Sequence, residues 1–397
     1  MLSKHYVTKL INLEGVSFKD IYIQGDEVRI FVAKQYQTEL CPTCCIPATQ
    51  LVDVTPKIYR DIDLLNRTCY IEVDQRRYEC RSCFCTFTET FSFAEAYRHY
   101  TTRFENSVYE CVQETTASYA AIKFGISDHT AQDIYQRVAS RRLENQKLEF
   151  PIQRIGIDEI AMHKGHKDFV LVISDLSNKR VIDVLEDRKK ETLLTYLKGW
   201  SEELKAGIEA VAIDLWSPYR ACVEEVLPNA KVVADRFHIM QNLNKALDNC
   251  RKQEKKNHPD QDIWKNAKYT VLKNREDLSD EQEGILNKIL NLSSALRECY
   301  NLKEQFREIF NQSSEPSEAR GRLHSWILQV IRSEVSEYYD FVKTLLNWEE
   351  NLLSYFLDWV SSGFVEGVNN KIKLIKRKAF GFRNFENFRM KIRDCFS

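Results

Sequence analysis

The chain has 397 residues, with 57 Lys and Arg against 58 Asp and Glu and a formal net charge of −1. Its 43% hydrophobic and 29% charged residues are ordinary for a globular protein with room for two or three domains. No apolar run reaches the length of a membrane span, and the near-zero charge confines any nucleic-acid surface to a local patch. The opening stretch MLSKHYVTKLINLEGV lacks the apolar core and cleavage site of a secretion signal, so the expected location is the cytoplasm.

Residues 1 to about 40 alternate apolar and polar side chains, which predicts a β-hairpin turning at Gly25-Asp26. Two C-x-x-C pairs follow, Cys41/Cys44 and Cys80/Cys83. Each pair can present two thiolates from a tight turn, and two such turns make the four-sulfur tetrahedron that Zn²⁺ prefers. One structural zinc in a zinc ribbon is the expectation; a redox pair or unrelated buried thiols is the alternative. These features make residues 1–93 a β-rich zinc-ribbon domain.

Helical periodicity takes over in residues 94–148. SYAAIKFGISDHTAQDIYQRVAS has the form of a helix-turn-helix. Ala121 is small where two helices would cross, Gly125 can take the positive φ of the turn, and Ser127 can cap the second helix. That helix would carry His129, Thr130, Gln132 and Gln136 toward base edges, although an ordinary helical hairpin fits the same pattern.

Residues 149–240 read as three successive strands, RIGIDEIAM, DFVLVISDL and RVIDVLED, then alternating helix and strand. That order suits a mixed sheet of the ribonuclease-H-like kind. Residues 241–350 carry an all-helical pattern, and 351–397 a helix with a basic tail. Asp158 lies inside an apolar strand, on the face of Gly156 and Ile160, so Glu159 should point the other way. Asp214 ends another strand, and Glu366 heads the basic run in GFVEGVNNKIKLIKRK. A carboxylate in a strand core is costly unless paired or bound to metal. Three of them could hold two hard cations, expected to be Mg²⁺, for an in-line phosphoryl displacement. Singly, each acid reads as well as a cap, a turn residue or a surface ion-pair partner. In a helix over 361–378, Glu366, Asn369 or Asn370, Lys373 and Arg377 would share a face. Lys371, Lys373, Lys376, Arg377, Arg383 and Arg389 are the candidate clamps for a DNA backbone.

The segments GIDEIAMHKGH, AIDLWSPY, ADRFHIMQNLNKALDNCR and GFVEGVNNKIKLIKRKAFGFRNFENFR together resemble the ISL-three family of bacterial insertion-sequence transposases. The resemblance covers nearly the whole chain. It implies a DDE enzyme with a ribonuclease-H-like core and a helical insertion, in which Asp158, Asp214 and Glu366 are the catalytic, magnesium-holding acids. By the likeness of DRFH to a motif in related transposases, Asp235 and His238 would lie near the active site; a buried, hydrogen-bonded histidine at a helix start is the alternative for His238. The implied activity is binding of terminal inverted repeats, metal-dependent DNA cleavage and strand transfer, by a homodimer or higher oligomer on DNA in the bacterial nucleoid. A non-catalytic DNA-binding regulator derived from such an enzyme is the rival reading.

Overall fold

The computed structural model describes residues 4–396 apart from 36–37, 49, 146–150, 163–167, 259–261, 266, 334, 359–362, 380–381 and 383. Arg383, one of the expected backbone clamps, therefore lies outside the described residues. The chain forms two compact units, Met1–Asn145 and Gln146–Ser397. No described helix is long and apolar enough to cross a membrane.

The first unit begins with a helix, α1 (Lys4–Ile11), where strand was expected from the first residue. The reason is local: Tyr6, Val7, Leu10 and Ile11 recur at helical spacing, and strand alternation sets in only later. β1 (Val16–Gln24) and β2 (Glu27–Lys34) then make the expected hairpin, with Gly25 at φ 57°. The short pair β3 (Glu39–Leu40) and β4 (Pro47–Ala48) frames the first cysteines. β5 (Gln50–Leu64) and β6 (Arg67–Glu79) form a long antiparallel hairpin, and β7 (Thr86–Thr88) adds to β6. The sheet order is β1-β2-β6-β5, with β2 and β6 parallel. Alternate residues Val28, Ile30 and Val32 face the same core as Cys69, Ile71 and Val73, closed by Tyr59, Phe91 and Phe93.

Three helices complete this unit: α2 (Thr102–Glu114), α3 (Ala117–Phe124) and α4 (Asp128–Asn145). Thr101 and Thr116 cap the first two through their hydroxyls. Gly125 ends α3 at φ 64°, and Ser127 accepts the Thr130 amide at 3.0 Å to start α4. Ala120 and Ala121 are buried against the buried stripe Ala131, Ile134, Tyr135 and Ala139 of α4. Two alanines let the helices approach closely.

The second unit is built on β8 (Arg154–Ala161), β9 (Phe169–Asp175), β10 (Arg180–Leu185), β11 (Ala210–Ile213) and β12 (Lys231–Ala234). Their order is β10-β9-β8-β11-β12. The first three strands are antiparallel neighbours; β8, β11 and β12 run parallel. α5 (Lys190–Lys198), α6 (Glu202–Gly207) and α7 (Ser217–Val226) connect the later strands, with Pro218 in the first turn of α7. Then come α8 (Arg236–Asn257), α9 (Ala267–Leu272), α10 (Asp280–Leu292), α11 (Ser294–Gln312), α12 (Pro316–Ser333), α13 (Tyr339–Asn347), α14 (Glu349–Leu353) and α15 (Tyr355–Asp358). Their core, with Leu243, Leu296, Phe306 and Trp326, is continuous with the sheet face that carries Ile155, Ile157, Leu171 and Ile173. Within it the Trp326 indole donates to the Leu302 carbonyl and the Tyr338 hydroxyl to the Cys299 carbonyl, both at 2.8 Å.

The opposite sheet face carries Ile160, Val170, Val172, Val181 and Val184. It is covered by the last helices, α16 (Gly363–Lys378) and α17 (Phe385–Cys395). Val368, Ile372 and Ile375 of α16 recur at helical spacing and meet Phe388 and Ile392 of α17 in that core. α16 follows β8 along its length. A side chain at Gly156 would press on Val365, Asn369 donates to Asp158, and the Lys376 ammonium donates to the Ala161 carbonyl. Arg389 of α17 holds β10 through a bidentate pair with buried Asp183, at 2.7 and 2.6 Å.

Candidate active site and a four-cysteine metal centre

Alternation along β8 sends Gly156, Asp158 and Ile160 toward α16, and Ile155, Ile157 and Glu159 toward α7. Glu159 accordingly accepts the Tyr219 hydroxyl at 2.9 Å and pairs with Arg188 at 2.9 Å on the far face. Its side chain makes no hydrogen bond to Asp158, Asp214 or His238 among the described residues. Asp214 follows the last residue of β11, which pairs in parallel with β8, so the two aspartates come from adjacent strands. Asp235 caps α8, accepting the Phe237 amide at 2.9 Å, and so sets where α8 begins. This places His238 between the aspartates: Nε2 is 3.5 Å from Asp158 and Nδ1 is 3.3 Å from Asp214.

The three groups titrate as a set. Burial opposes charge on His238, yet the hydrogen bond to Asp158 and the charges of Asp214, Asp158 and Asp235 lift it to about 9. Burial also opposes charge on Asp158. The bonds from His238 and Asn369, the imidazolium charge and the Glu159 amide outweigh it and hold the carboxyl below its ordinary range. At Asp214 burial prevails, helped by the carboxylates of Asp158 and Glu159, and its carboxyl titrates above that range. His238 has the nearer oxygen at Asp214, but only Asp158 has a second side-chain donor, Asn369.

Asn369 is used on one side only. Its amide nitrogen donates to Asp158, whereas its carbonyl oxygen is buried and has no partner among the described residues. A buried acceptor beside a carboxylate, with nothing donating to it, suits a cation. Glu366 lies three residues before Asn369 on α16, exposed, without an ion pair or hydrogen bond among the described residues. Asp158 and Asp214 are brought together through His238. The three acids do not close into a cluster with ligand atoms within 4.8 Å, a separation reached among the described residues only by four cysteines. The donor set of Asp158, Asp214, Glu366 and the Asn369 carbonyl is all oxygen, the chemistry of a hard divalent cation such as Mg²⁺.

The expected basic clamps divide. Lys373 and Arg377 are exposed on α16. Lys376 is engaged with the Ala161 carbonyl, Lys371 with the Cys395 carbonyl at 2.8 Å, and Arg389 with Asp183. Those three hold the C-terminal helices in place. On α4, Thr130 lies 2.8 Å from the Ser127 hydroxyl, and Gln132 and Gln136 are half-buried. Reading by composition counted cations but could not see that Asp183 and two carbonyls already hold partners among them.

In the first unit the sulfurs of Cys41, Cys44, Cys80 and Cys83 all lie within 4.8 Å of one another. Cys41–Cys83 and Cys44–Cys80 are each 3.5 Å apart. A tetrahedron with Zn–S bonds of about 2.3 Å has edges of about 3.8 Å, so the thiols could hold zinc. The two turns share one construction. The Cys45 amide donates to the Cys41 carbonyl and the Phe84 amide to the Cys80 carbonyl, each at 2.8 Å, with Cys45 at φ 56° and Phe84 at φ 57°. Burial works against ionisation of Cys41, but the amides of Cys44 and Thr43 and the thiols of Cys83 and Cys44 bring it down to about 6. Cys45 and Cys85 lie outside the quartet.

A transposase family model of the DDE, ISL-three type matches residues 155–392. The transposase for insertion sequence element IS1001 of Bordetella parapertussis is 26% identical over 380 residues, covering 94% of this chain and 92% of its own. The transposase for insertion sequence element IS1557 of Mycobacterium tuberculosis is 27% identical over 258 residues, 59% of this chain and 57% of its own.

Proposed function

The chain belongs to the ISL-three family of DDE transposases, and on that premise we propose that it binds the terminal inverted repeats of its own insertion sequence, cleaves DNA at them and joins the ends to a target. The observation that carries the catalytic part is the meeting of Asp158 and Asp214 at one imidazole, beside a buried amide oxygen that lacks a partner. The strand order β10-β9-β8-β11-β12, with three antiparallel strands followed by two parallel ones, supports the ribonuclease-H-like reading of the second unit. In that reading α8–α15 form the helical insertion and α16 delivers the third acid.

Asp158, Asp214 and Glu366 would hold two Mg²⁺, which stabilise the attacking and leaving oxygens of an in-line displacement when bound. Asn369 orients Asp158 and offers its carbonyl to the same cations. His238 holds a proton between the aspartates and must yield its charge when a divalent cation enters. Glu366, on the first turn of α16, would then close onto the site from its exposed position. Lys373 and Arg377, one and two turns after Asn369, would meet phosphate oxygens of the bound strand.

In the first unit, one zinc on Cys41, Cys44, Cys80 and Cys83 would fix the ends of the long hairpin. The capped helices α2–α4 would act as a helix-turn-helix, with Thr130, Gln132 and Gln136 on the helix that enters the major groove. A dimer or larger assembly on two DNA ends, in the nucleoid, belongs to the same reading. The test is magnesium-dependent nicking of a duplex carrying the DNA that flanks the gene, by wild type and by Asp158→Asn. Nicking by the wild type alone is the expected result. Binding without nicking at any divalent cation would leave a DNA-binding regulator instead.

A further inference from the structure

Between the sheet and the helices of the first unit the chain makes a turn over residues 95–98, closed by the Arg98 amide donating to the Glu95 carbonyl at 3.2 Å. Its third residue, Tyr97, has φ 61°. Turns that need positive φ there normally carry Gly or Asn, because an L side chain is strained in that region. The other bulky residues at such angles have a local reason. Phe84 closes a cysteine turn, and Leu65 with Asn66 makes the tight turn between β5 and β6. Nothing in the 95–98 turn uses the tyrosine. Its side chain is 101% exposed and has no hydrogen bond or ring contact among the described residues.

The turn is nevertheless fastened to one place. Arg98 pairs with Asp133 at 3.2 Å, and Glu95 pairs with Arg137 at 3.0 Å and with Arg141. Asp133, Arg137 and Arg141 are four residues apart and make one stripe along α4. The adjoining stripe carries His129, Gln132 and Gln136, three of the four residues read as facing bases. Three ion pairs therefore fasten the turn that carries exposed Tyr97 to α4, on the stripe next to that one. A single aromatic with a polar tip, two residues before exposed His99, suits a polar edge rather than an apolar pocket.

We propose that Tyr97 is a DNA-backbone contact, its hydroxyl donating to a phosphate oxygen beside the groove that α4 enters. This rests on the DNA-binding reading of α2–α4. The experiment uses the full chain with Tyr97→Gly and Tyr97→Phe. It measures affinity for a duplex from the gene's flanking DNA and for a scrambled duplex of equal length, and the melting temperature. Each variant should lose about tenfold in affinity for both duplexes, as expected for one hydrogen bond to a charged group that carries no sequence information. Tyr97→Gly should melt at the wild-type temperature or above it, since Gly accepts the positive φ. Wild-type affinity in Tyr97→Gly overturns the contact. Wild-type affinity in Tyr97→Phe alone overturns the hydroxyl's role. A lowered melting temperature in Tyr97→Gly makes the residue structural and overturns the proposal. If the wild type binds neither duplex, the DNA-binding reading itself fails, a result distinct from the other three.

Discussion

The cysteine quartet of the first unit takes its ligands from two turns of the same design, each closed by its own backbone hydrogen bond. The carboxylate site of the second unit draws on β8, the end of β11, the start of α8 and the first turns of α16. Within each cysteine turn the spacing of the two thiols is set over four residues, and the β5–β6 hairpin brings the two turns together. The carboxylate site depends on packing between segments up to 211 residues apart. There His238 lies between the two aspartates, and Glu366 stays exposed on α16 outside that pairing. A closed, four-ligand site suits structure, and an open one suits chemistry.

The largest effect should come from breaking the closed site. Metal analysis of wild type is expected to find about one zinc per chain, and Cys41→Ser or Cys80→Ser to lose it and to unfold the first unit by circular dichroism and limited proteolysis. A first unit that stays folded without zinc would remove the contrast. Next in size, Asp158→Asn, Asp214→Asn and Glu366→Gln should each lower cleavage by about a thousandfold or more, with little change in DNA affinity. Combining any two should add little. Near-wild-type cleavage by Glu366→Gln in Mg²⁺ would take α16 out of the chemistry.

A smaller effect separates the sites by pH. The folded pKa of His238 is about 9 against an ordinary 6.5. Its pairing therefore stabilises the metal-free protein fully below about 6.5 and is lost as pH rises through about 9. Urea unfolding in a chelator should show stability falling across that window, and His238→Gln should lack that part of the slope. Mg²⁺ affinity by calorimetry should rise over the same window in wild type. The smallest effect expected is from Gly156→Ala. The new Cβ would lie 3.1 Å from Leu176 and 3.2 Å from Val365, so α16 must shift by a few tenths of an ångström. A fall in cleavage of about tenfold with stability changed by about 1 kcal/mol or less would show that the site needs α16 held closely.

Features of short range were legible in the sequence. Alternation alone assigns Asp158 and Glu159 to opposite faces of β8, and Gly125 and Ser127 stand at the end of α3 and the start of α4 as their chemistry requires. The two C-x-x-C pairs announce their turns for the same reason. The short helix α1 was misread because eight residues carry barely two helical periods beside a long alternating stretch. Pairings across the chain were out of reach. Sequence left Asn369 and Asn370 both open on the face of Glu366; that Asn369 is the one bonded to Asp158 depends on how α16 lies along β8. The parallel pairing of β2 with β6 and the partnership of Arg389 with Asp183 have no local signature either. A cation seen only in sequence looks available; burial and a fixed partner can be read only from the folded chain.

The late position of α16 also bears on control of the protein's own dosage. A shortened product ending between residues 236 and 363 keeps the whole first unit and both aspartates, yet lacks Glu366, Asn369 and the helix that covers one face of the sheet. Such a product is expected to occupy DNA ends without cutting them, and so to act as a competitor of the full-length chain. On the proposed reading, a stop late in the chain would turn an enzyme molecule into its antagonist. Adding a fragment of residues 1–145 to a cleavage assay would measure that antagonism directly.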